Sequence, residues 1–423
     1  MAIEKQPSCD DPVEPELLPV SVALQRMQAQ IKAIEATETV PLRESLNRVL
    51  GCELHSPIPV PAYTNSAMDG YAINSADLPK SGEASLRVLG TVWAGTPLGK
   101  KIEPGTAARI MTGGMMPEGS DTVVIQEHVQ AEGDLITIDA TTSPGRNVRL
   151  AGEDIKAGDM VLPRGTLINP AQLGLIASLG IDKIVVTRRI VIAFFSTGDE
   201  LRALETHAGE ELGPGEIFDS NRHTLFALLS KLNVELIDLG VVADTQEATR
   251  SAVKEAASRA DLVITSGGVS AGQADFVSQT IAELGELTFW KLAMRPGRPL
   301  ACGEINGTRF FGLPGNPVAV MVTFYEFVQP TIKKMMGCND TEPLLFTATA
   351  AHTIRKVPGR IEYQRGILKT TEDGTLSVQT TGKQGAGRLT SMCLADCLMV
   401  LPAECDGIEP GDTVQVQPFH GLV

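Results

Sequence analysis

Apolar residues recur at helical spacing early in the chain, at Leu24, Met27, Ile31 and Ile34. That is the stripe of a helix burying one face, and Ser21 stands where its cap belongs. Leu42, Leu46, Val49 and Leu50 repeat the spacing before Gly51, so a second helix is expected there. Pro57, Pro59 and Pro61 then mark an extended crossing. Beyond it the period shortens to β-like runs at 86–89, 107–111, 122–125 and 135–138, set between glycines. Helical spacing returns at Leu173, Ile176 and Ala177, with Asn169 as cap before Pro170 and Gly180 as stop. The return implies a β-rich segment inserted into a helical domain.

From Ile184 onward strand and helix alternate. The run 190–195 is wholly apolar, as a strand buried on both faces must be. A helix over 220–232, a strand over 234–239, a helix over 246–260 and the strand Leu262-Val263-Ile264 follow. Two more helices are expected. One carries Phe276, Val277, Ile281 and Leu284 behind Asp275 as cap. The other starts at Pro317 behind Asn316 and runs through Val318, Val322 and Phe327. This pattern predicts a Rossmann-like, three-layer α/β domain with a parallel sheet. After Met336 the runs are again short, with Glu372-Asp373-Gly374 as a hairpin signal and 408–416 as turn and closing strand, so a small all-β domain ends the chain. The expected boundaries are a disordered leader at 1–18, a split helical domain at 19–57 and 150–185, an inserted β-rich domain at 58–149, the α/β domain at 186–336 and the last domain at 337–423.

Charge narrows the partners. The 423 residues carry 36 basic and 51 acidic side chains, a formal charge of −15. A surface so acidic argues against nucleic acid or anionic membrane as partner, so an anionic ligand must be held by local cations and backbone N–H groups. No apolar run approaches the roughly 20 residues that span a bilayer, and no basic-then-apolar signal opens the chain. Seven cysteines without close pairing point to the cytoplasm.

The candidate chemistry gathers at predicted strand ends, where open α/β sheets bind ligands. Ser266-Gly267-Gly268-Val269-Ser270 follows one strand, and Ser196-Thr197-Gly198-Asp199-Glu200 another. Lys291 and the stiff Arg295-Pro296-Gly297-Arg298-Pro299 turn lie between two loop-to-helix starts, the glycine turn and Gly312-Leu313-Pro314-Gly315-Asn316-Pro317. Three cations between two such starts suit a phosphorylated or oxyanionic small molecule. Asp154, Glu200, Asp244 and Asp275 each follow a strand or a glycine and can serve as caps, hold a divalent cation or handle a proton. Gly268-Val269-Ser270-Ala271-Gly272 matches a hydrolase nucleophile elbow. The strand ends too early for Ser270 to stand in that elbow, and the downstream histidines His352 and His420 fall outside the α/β block, so Ser270 is not expected to be a nucleophile.

These motifs, with Asn65-Ser66-Ala67-Met68-Asp69-Gly70-Tyr71-Ala72, Met111-Thr112-Gly113 and Gly152-Glu153-Asp154, resemble in order those of the MoeA-type molybdopterin molybdenumtransferase family. Its eukaryotic counterparts are the E domains of gephyrin and of its plant homologue. The resemblance implies a four-domain, elongated homodimer ending in a β-barrel. It implies the last step of molybdenum cofactor synthesis, in which adenylylated molybdopterin and molybdate give the cofactor and AMP with Mg²⁺. It places Asp69, Thr112, Asp154, Glu200, Asp244, Asp275, Lys291, Arg295 and Arg365 in a cleft between subunits. The expected catalytic residues are therefore Asp154, Glu200, Asp244 and Asp275, with Glu200, Asp244 and Asp275 as Mg²⁺ ligands. The expected substrate contacts are Asp69, Thr112, Ser196, Thr197, Gly267, Gly268, Ser270, Lys291, Arg295, Arg298, Pro314, Asn316 and Arg365. Molybdopterin adenylyltransferase and molybdoenzymes or their chaperones are the implied protein partners. A catalytically inactive scaffold or a molybdopterin-binding protein of the same fold is the alternative. Arg295 and Arg298 stand where the family usually has lysines, Ala386 and Gly387 where it has serine and histidine, and Gly114 where it has alanine.

Overall fold

The strand Val191–Thr197 runs through the middle of two cores. Ile192 and Phe194 face one of them, and Ala193 and Phe195 the other, as the two-residue period of a strand requires. The computed structural model describes residues 17–268 and 276–419. In it this strand belongs to a six-stranded sheet ordered Glu235–Val242, Val191–Thr197, Leu262–Ser266, Thr308–Leu313, Pro299–Ile305, Glu286–Lys291. Leu225, Leu229, Val318 and Val320 cover one face, and Val253, Ala256, Val277 and Ile281 the other, so the unit has three layers.

The sheet is mixed, not parallel as the alternation predicted. The first four strands in that order are parallel, and the last two pairings are antiparallel. The physical reason is the turn Asn306-Gly307, with φ of 51° and 89°, which joins two strands as a tight hairpin. Two reversals cancel. Lys291 therefore leaves the sheet on the same edge as Thr197, Ser266 and Leu313, and its register partner Pro299 starts there.

The helix Val20–Gln30 packs Ala23 and Met27 into the same core as Ile332 and Met335. Pro19 holds its N-cap position and makes no side-chain cap, so Ser21 lies inside the helix. The second expected helix is absent. Thr37–Pro41 is a strand paired with Lys183–Thr187, and only Leu42–Ser45 forms a single 3-10 turn. Asn47 at φ 61° breaks the helical path. Val49 and Leu50 are buried through bridges to Leu167 and Val186. Leu42 and Leu50 serve a small core with Ile176 and Ile184, Val49 joins the core of the α/β unit, and Leu46 is exposed.

Between these segments lies a second six-stranded sheet, ordered Thr122–Ile125, Gly70–Ile73, Thr106–Ile110, Glu83–Val92, Leu135–Asp139, Val129–Glu132. Gly70 has no alternative here, because a Cβ would stand 2.1 Å from the Val124 carbonyl oxygen.

At the C-terminal end, five strands close into a barrel. Ile361–Thr370 pairs with both Leu376–Thr380 and Cys397–Leu401, and Phe346–Ala350 and Thr413–Pro418 complete the circuit. The short strand Met294–Arg295 pairs in parallel with Ile361 and Glu362, so the arginine turn of the α/β unit is joined to the barrel wall. No described helix is long and apolar enough to cross a membrane.

Candidate active site

One edge of the α/β sheet gathers most of the expected residues. Ser196 and Thr197 end their strand buried. The chain then turns at Gly198, where a Cβ would lie 2.5 Å from the Glu200 carboxylate, so that carboxylate folds back over the turn. Asp244 follows the neighbouring strand, and the Thr197 hydroxyl donates to its Oδ1 over 3.5 Å. Burial raises the Asp244 pKa, and Asp199 and Glu200 add to the rise. The corner thus concentrates negative charge at a partly desolvated oxygen.

Gly267 and Gly268, at φ of 87° and 65°, seat the next turn on the same strand end. A Cβ on Gly267 would stand 2.5 Å from the Thr197 carbonyl oxygen, and one on Gly268 2.7 Å from the Thr197 Cγ2. Only glycine allows this approach. Ser270 and Asp275, the next expected residues, lie outside the described residues, as do the leader up to Glu16 and His420.

The loop Pro314-Gly315-Asn316 closes the third side. Asn316 occupies the N-cap position of Pro317–Thr323, but its side chain makes no cap. The Val318 N–H donates instead to the Ala386 carbonyl, 3.1 Å away. The helix start expected to cradle an anion is therefore partly closed by the barrel. Ala386 acts here through its backbone, which any side chain provides. At Gly387 a Cβ would meet only Asn316 Oδ1, at 4.0 Å.

The cations come from two units. Lys291 is exposed at its strand end, and Arg298 is half-buried next to Pro299. Gly297 presses the turn between the two arginines onto Thr323, with a Cβ 2.6 Å from its hydroxyl. Arg295 pairs with buried Glu362 at 3.5 Å. Arg365, on the same barrel strand as Glu362, is 1% exposed. Its Nε donates to Ser391 Oγ at 3.0 Å and a terminal N–H to the Gly385 carbonyl at 3.2 Å. Burial, and then the Arg295 guanidinium, push its pKa down to about 10. A cavity of about 770 Å³ opens beside this pair, lined by Arg295, Arg355, Glu362, Gln364 and Gln384 among others.

Asp69, Thr112 and Asp154 lie elsewhere. Asp69 Oδ1 accepts from both the N–H and the hydroxyl of Thr112, each at 2.7 Å, and these bonds lower its pKa. Asp154 is exposed, and its N–H donates to the Val60 carbonyl. No hydrogen bond or ion pair among the described residues ties these three to the sheet edge. Tyr63, Met68, Met115 and Leu150 are exposed around them.

Several residues at the edge were not expected. Asn221 bridges Ser266 and Gly315, while Gln384, Gly385 and Ser391 hold Arg365. Asp219-Ser220-Asn221 is a helix-start signal that could have marked the first of them.

Three family models together match most of the chain. "MoeA N-terminal region (domain I and II)" covers residues 18–180, "Probable molybdopterin binding domain" 193–334, and "MoeA C-terminal region (domain IV)" 347–419. Among curated relatives, the molybdopterin molybdenumtransferase of Haemophilus influenzae is 41% identical over 409 residues, covering 96% of this chain and 100% of that one. The protein of the same name from Nostoc sp. is 37% identical, covering 90% of this chain and 88% of that one. Among solved structures, the molybdopterin biosynthesis MoeA protein of Pyrococcus horikoshii superposes with a TM-score of 0.82 at 29% identity, covering 96% of this chain and 100% of that one.

Proposed function

The chain belongs to the MoeA family of molybdopterin molybdenumtransferases, and on that premise we propose that the sheet-edge crevice is where adenylylated molybdopterin and molybdate meet. The protein is a transferase of molybdenum cofactor biosynthesis and acts at the final, molybdenum-inserting step. The observation that carries the residue-level reading is the neighbourhood of Arg295 and Arg365. The Arg295 guanidinium pairs with the Glu362 carboxylate, and its charge adds to the depression of the Arg365 pKa. An oxyanion at that place offsets their repulsion and accepts directed N–H bonds from both. Molybdate meets that demand. Lys291 and Arg298 share the edge and face the phosphates, while Ser196, Thr197, Gly267 and Gly268 bring backbone close to the phosphoanhydride. Pro314 and Asn316 bound the crevice on the barrel side, and no nucleophilic role is assigned to Ser270.

The acidic corner suits Mg²⁺. Its donors are oxygens, and the mutual repulsion at Asp244 is what a cation removes. Among the described residues no three His, Cys, Asp or Glu are grouped for a metal. Glu200 and Asp244 are the described donors, and Asp275 lies outside the described residues. Glu200 and Asp244, with Asp275, would hold Mg²⁺. When bound it would polarise the phosphoanhydride that breaks as AMP leaves. The Thr197 hydroxyl, donating to Asp244 Oδ1, helps to orient that carboxylate.

The active form is a homodimer in this reading. Asp69, Thr112 and Asp154 sit among the exposed Tyr63, Met68, Met115 and Leu150, and such a patch is a contact surface more often than a free one. A second copy seated there would bring the three residues to the partner's crevice. Light scattering should give a mass near twice the 45.0 kDa of the chain, and a mass near one chain at micromolar concentration would remove the proposal. The enzyme works in the cytoplasm, receives substrate from molybdopterin adenylyltransferase and delivers product to molybdoenzymes or their chaperones. Incubation with adenylylated molybdopterin, Mg²⁺ and molybdate or tungstate tests the whole reading. AMP release that needs the oxyanion supports it, and its absence leaves only a scaffold.

A further inference from the structure

The Asn221 side chain touches two walls of the crevice at once. Its Nδ2 donates to Ser266 Oγ and to the Gly315 carbonyl oxygen, each at 2.8 Å. The carbonyl can only accept, so the amide nitrogen and not the oxygen must face it. Ser266 immediately precedes the Gly267-Gly268 turn, and Gly315 is the centre of the Pro314-Gly315-Asn316 loop. These two loops follow neighbouring strands paired at Ser266 and Leu313, with the Gly267 N–H donating to the Leu313 carbonyl at 3.2 Å, and Asn221 ties them again one step further out.

Asn221 is itself held from behind. Asp219 Oδ1 accepts from the N–H groups of Asn221 and Arg222 at 3.1 and 3.2 Å. Arg222, 5% exposed, is anchored to Asp238 at 2.6 Å and Glu205 at 2.5 Å. The same segment reaches the acidic corner, because the Ile217 N–H donates to the Glu200 carbonyl at 2.8 Å and the Asp219 N–H to the Arg202 carbonyl at 3.0 Å. One backbone segment, 217–222, thus touches the carboxylate turn, the glycine turn and the proline-glycine loop.

We infer that Asn221 is a positioning residue that sets the spacing between the glycine turn and the 314–316 loop, and so the width of the crevice that grips the phosphoanhydride. This rests on the substrate reading given above. A displacement of about 1 Å in such a site costs up to about a hundredfold in rate.

Three variants test it. Asn221→Asp keeps the shape but cannot donate to Gly315. Asn221→Ala removes both bonds. Ser266→Ala removes one and leaves the Gly315 bond. Hydrogen exchange is followed at residues 266–268 and 313–317, and kcat and KM for adenylylated molybdopterin are measured separately. Asn221→Asp is expected to speed exchange in both loops together, while Gln246–Arg259 and the barrel strands stay as in the parent. Its KM should rise about tenfold or more, with a smaller fall in kcat. Ser266→Ala should loosen the glycine turn alone and add little to Asn221→Ala, since the two act through one bond. Unchanged exchange in the two loops, or additive effects of Ser266→Ala and Asn221→Ala, overturns the inference. The exchange arm needs no substrate. If both loops loosen while the parent protein releases no AMP, the positioning role stands and the substrate reading falls.

Discussion

Arg295 is joined to Glu362 twice, as its register partner across a parallel strand pair and through an ion pair of 3.5 Å. The first residue belongs to the turn between two strands of the α/β sheet, the second to the barrel wall. The Arg295 charge also reaches Arg365, on the same barrel strand as Glu362, and helps to depress its pKa. Glu362 also accepts from Gln364 Nε2 at 2.9 Å, so its carboxylate is fixed from both sides.

Glu362→Gln should therefore loosen Arg295 without dissolving the barrel. The glutamine keeps a polar group in the buried place but removes the charge that orients the guanidinium. KM for molybdate is expected to rise on the order of tenfold with kcat within a few-fold, the signature of a lost ground-state contact. Arg295→Ala should act on the same parameter and more strongly. Steady-state kinetics with molybdate as the varied substrate decides it, and an unchanged KM in both variants would place the oxyanion elsewhere.

Glu326 makes stability depend on pH. It is buried between the last helical segment of the α/β unit and the barrel, and burial raises its pKa from 4.5 to about 7 despite hydrogen bonds with Tyr363 and Gln417. A carboxyl whose folded pKa is raised binds its proton more tightly in the native state. Its favourable contribution is complete below about pH 4.5 and is lost as pH rises through about 7, a change of about 3 kcal/mol. Glu326→Gln, which mimics the protonated form, should flatten this part of the profile. Its Tm should match the parent near pH 5 and exceed it near pH 8. Parallel Tm curves across that window would show that Glu326 does not titrate there.

The two glycine departures from the family pattern should behave oppositely. A Cβ at Gly114 would stand 2.8 Å from the Met111 carbonyl oxygen and 2.9 Å from Ile110 Cγ1, whereas one at Gly387 would meet only Asn316 Oδ1, at 4.0 Å. Gly114→Ala is expected to cost about 1–3 kcal/mol through overpacking, and Gly387→Ala to leave Tm nearly unchanged. Thermal unfolding of the two variants side by side checks this. An unaffected Gly114→Ala would mean that the strand end at Ile110 yields easily.

Much of this was legible in the chain because burial on one or two faces leaves a periodic trace. The run 190–195 could only be a strand covered on both sides, and Asn169-Pro170 could only open a helix. The stretch 42–50 misled because Leu42, Leu46, Val49 and Leu50 satisfy a helical spacing while serving a 3-10 turn, its end and two isolated bridges. Nothing local distinguishes those uses. The Asn306-Gly307 hairpin carried its own signal, and with the reversal between Lys291 and Pro299 it turns the expected parallel sheet into a mixed one. At the site, glycine turns and strand-end acids are local features and could be read directly. Asn221 and the group around Arg365 depend on partners tens of residues away, which only the fold brings together. The residues Asp69, Thr112 and Asp154 carried a motif but no indication of which crevice they serve.

The most direct measurement is AMP release from adenylylated molybdopterin with Mg²⁺ and molybdate, comparing the parent with Asp244→Asn and Asp275→Asn. The account predicts oxyanion-dependent release by the parent. Each variant should be slower by a factor on the order of a hundred, with Tm nearly unchanged, since asparagine keeps the shape and capping ability of aspartate. Parent-like turnover with the same Mg²⁺ dependence in both variants would contradict the assignment of the acidic corner to the chemistry.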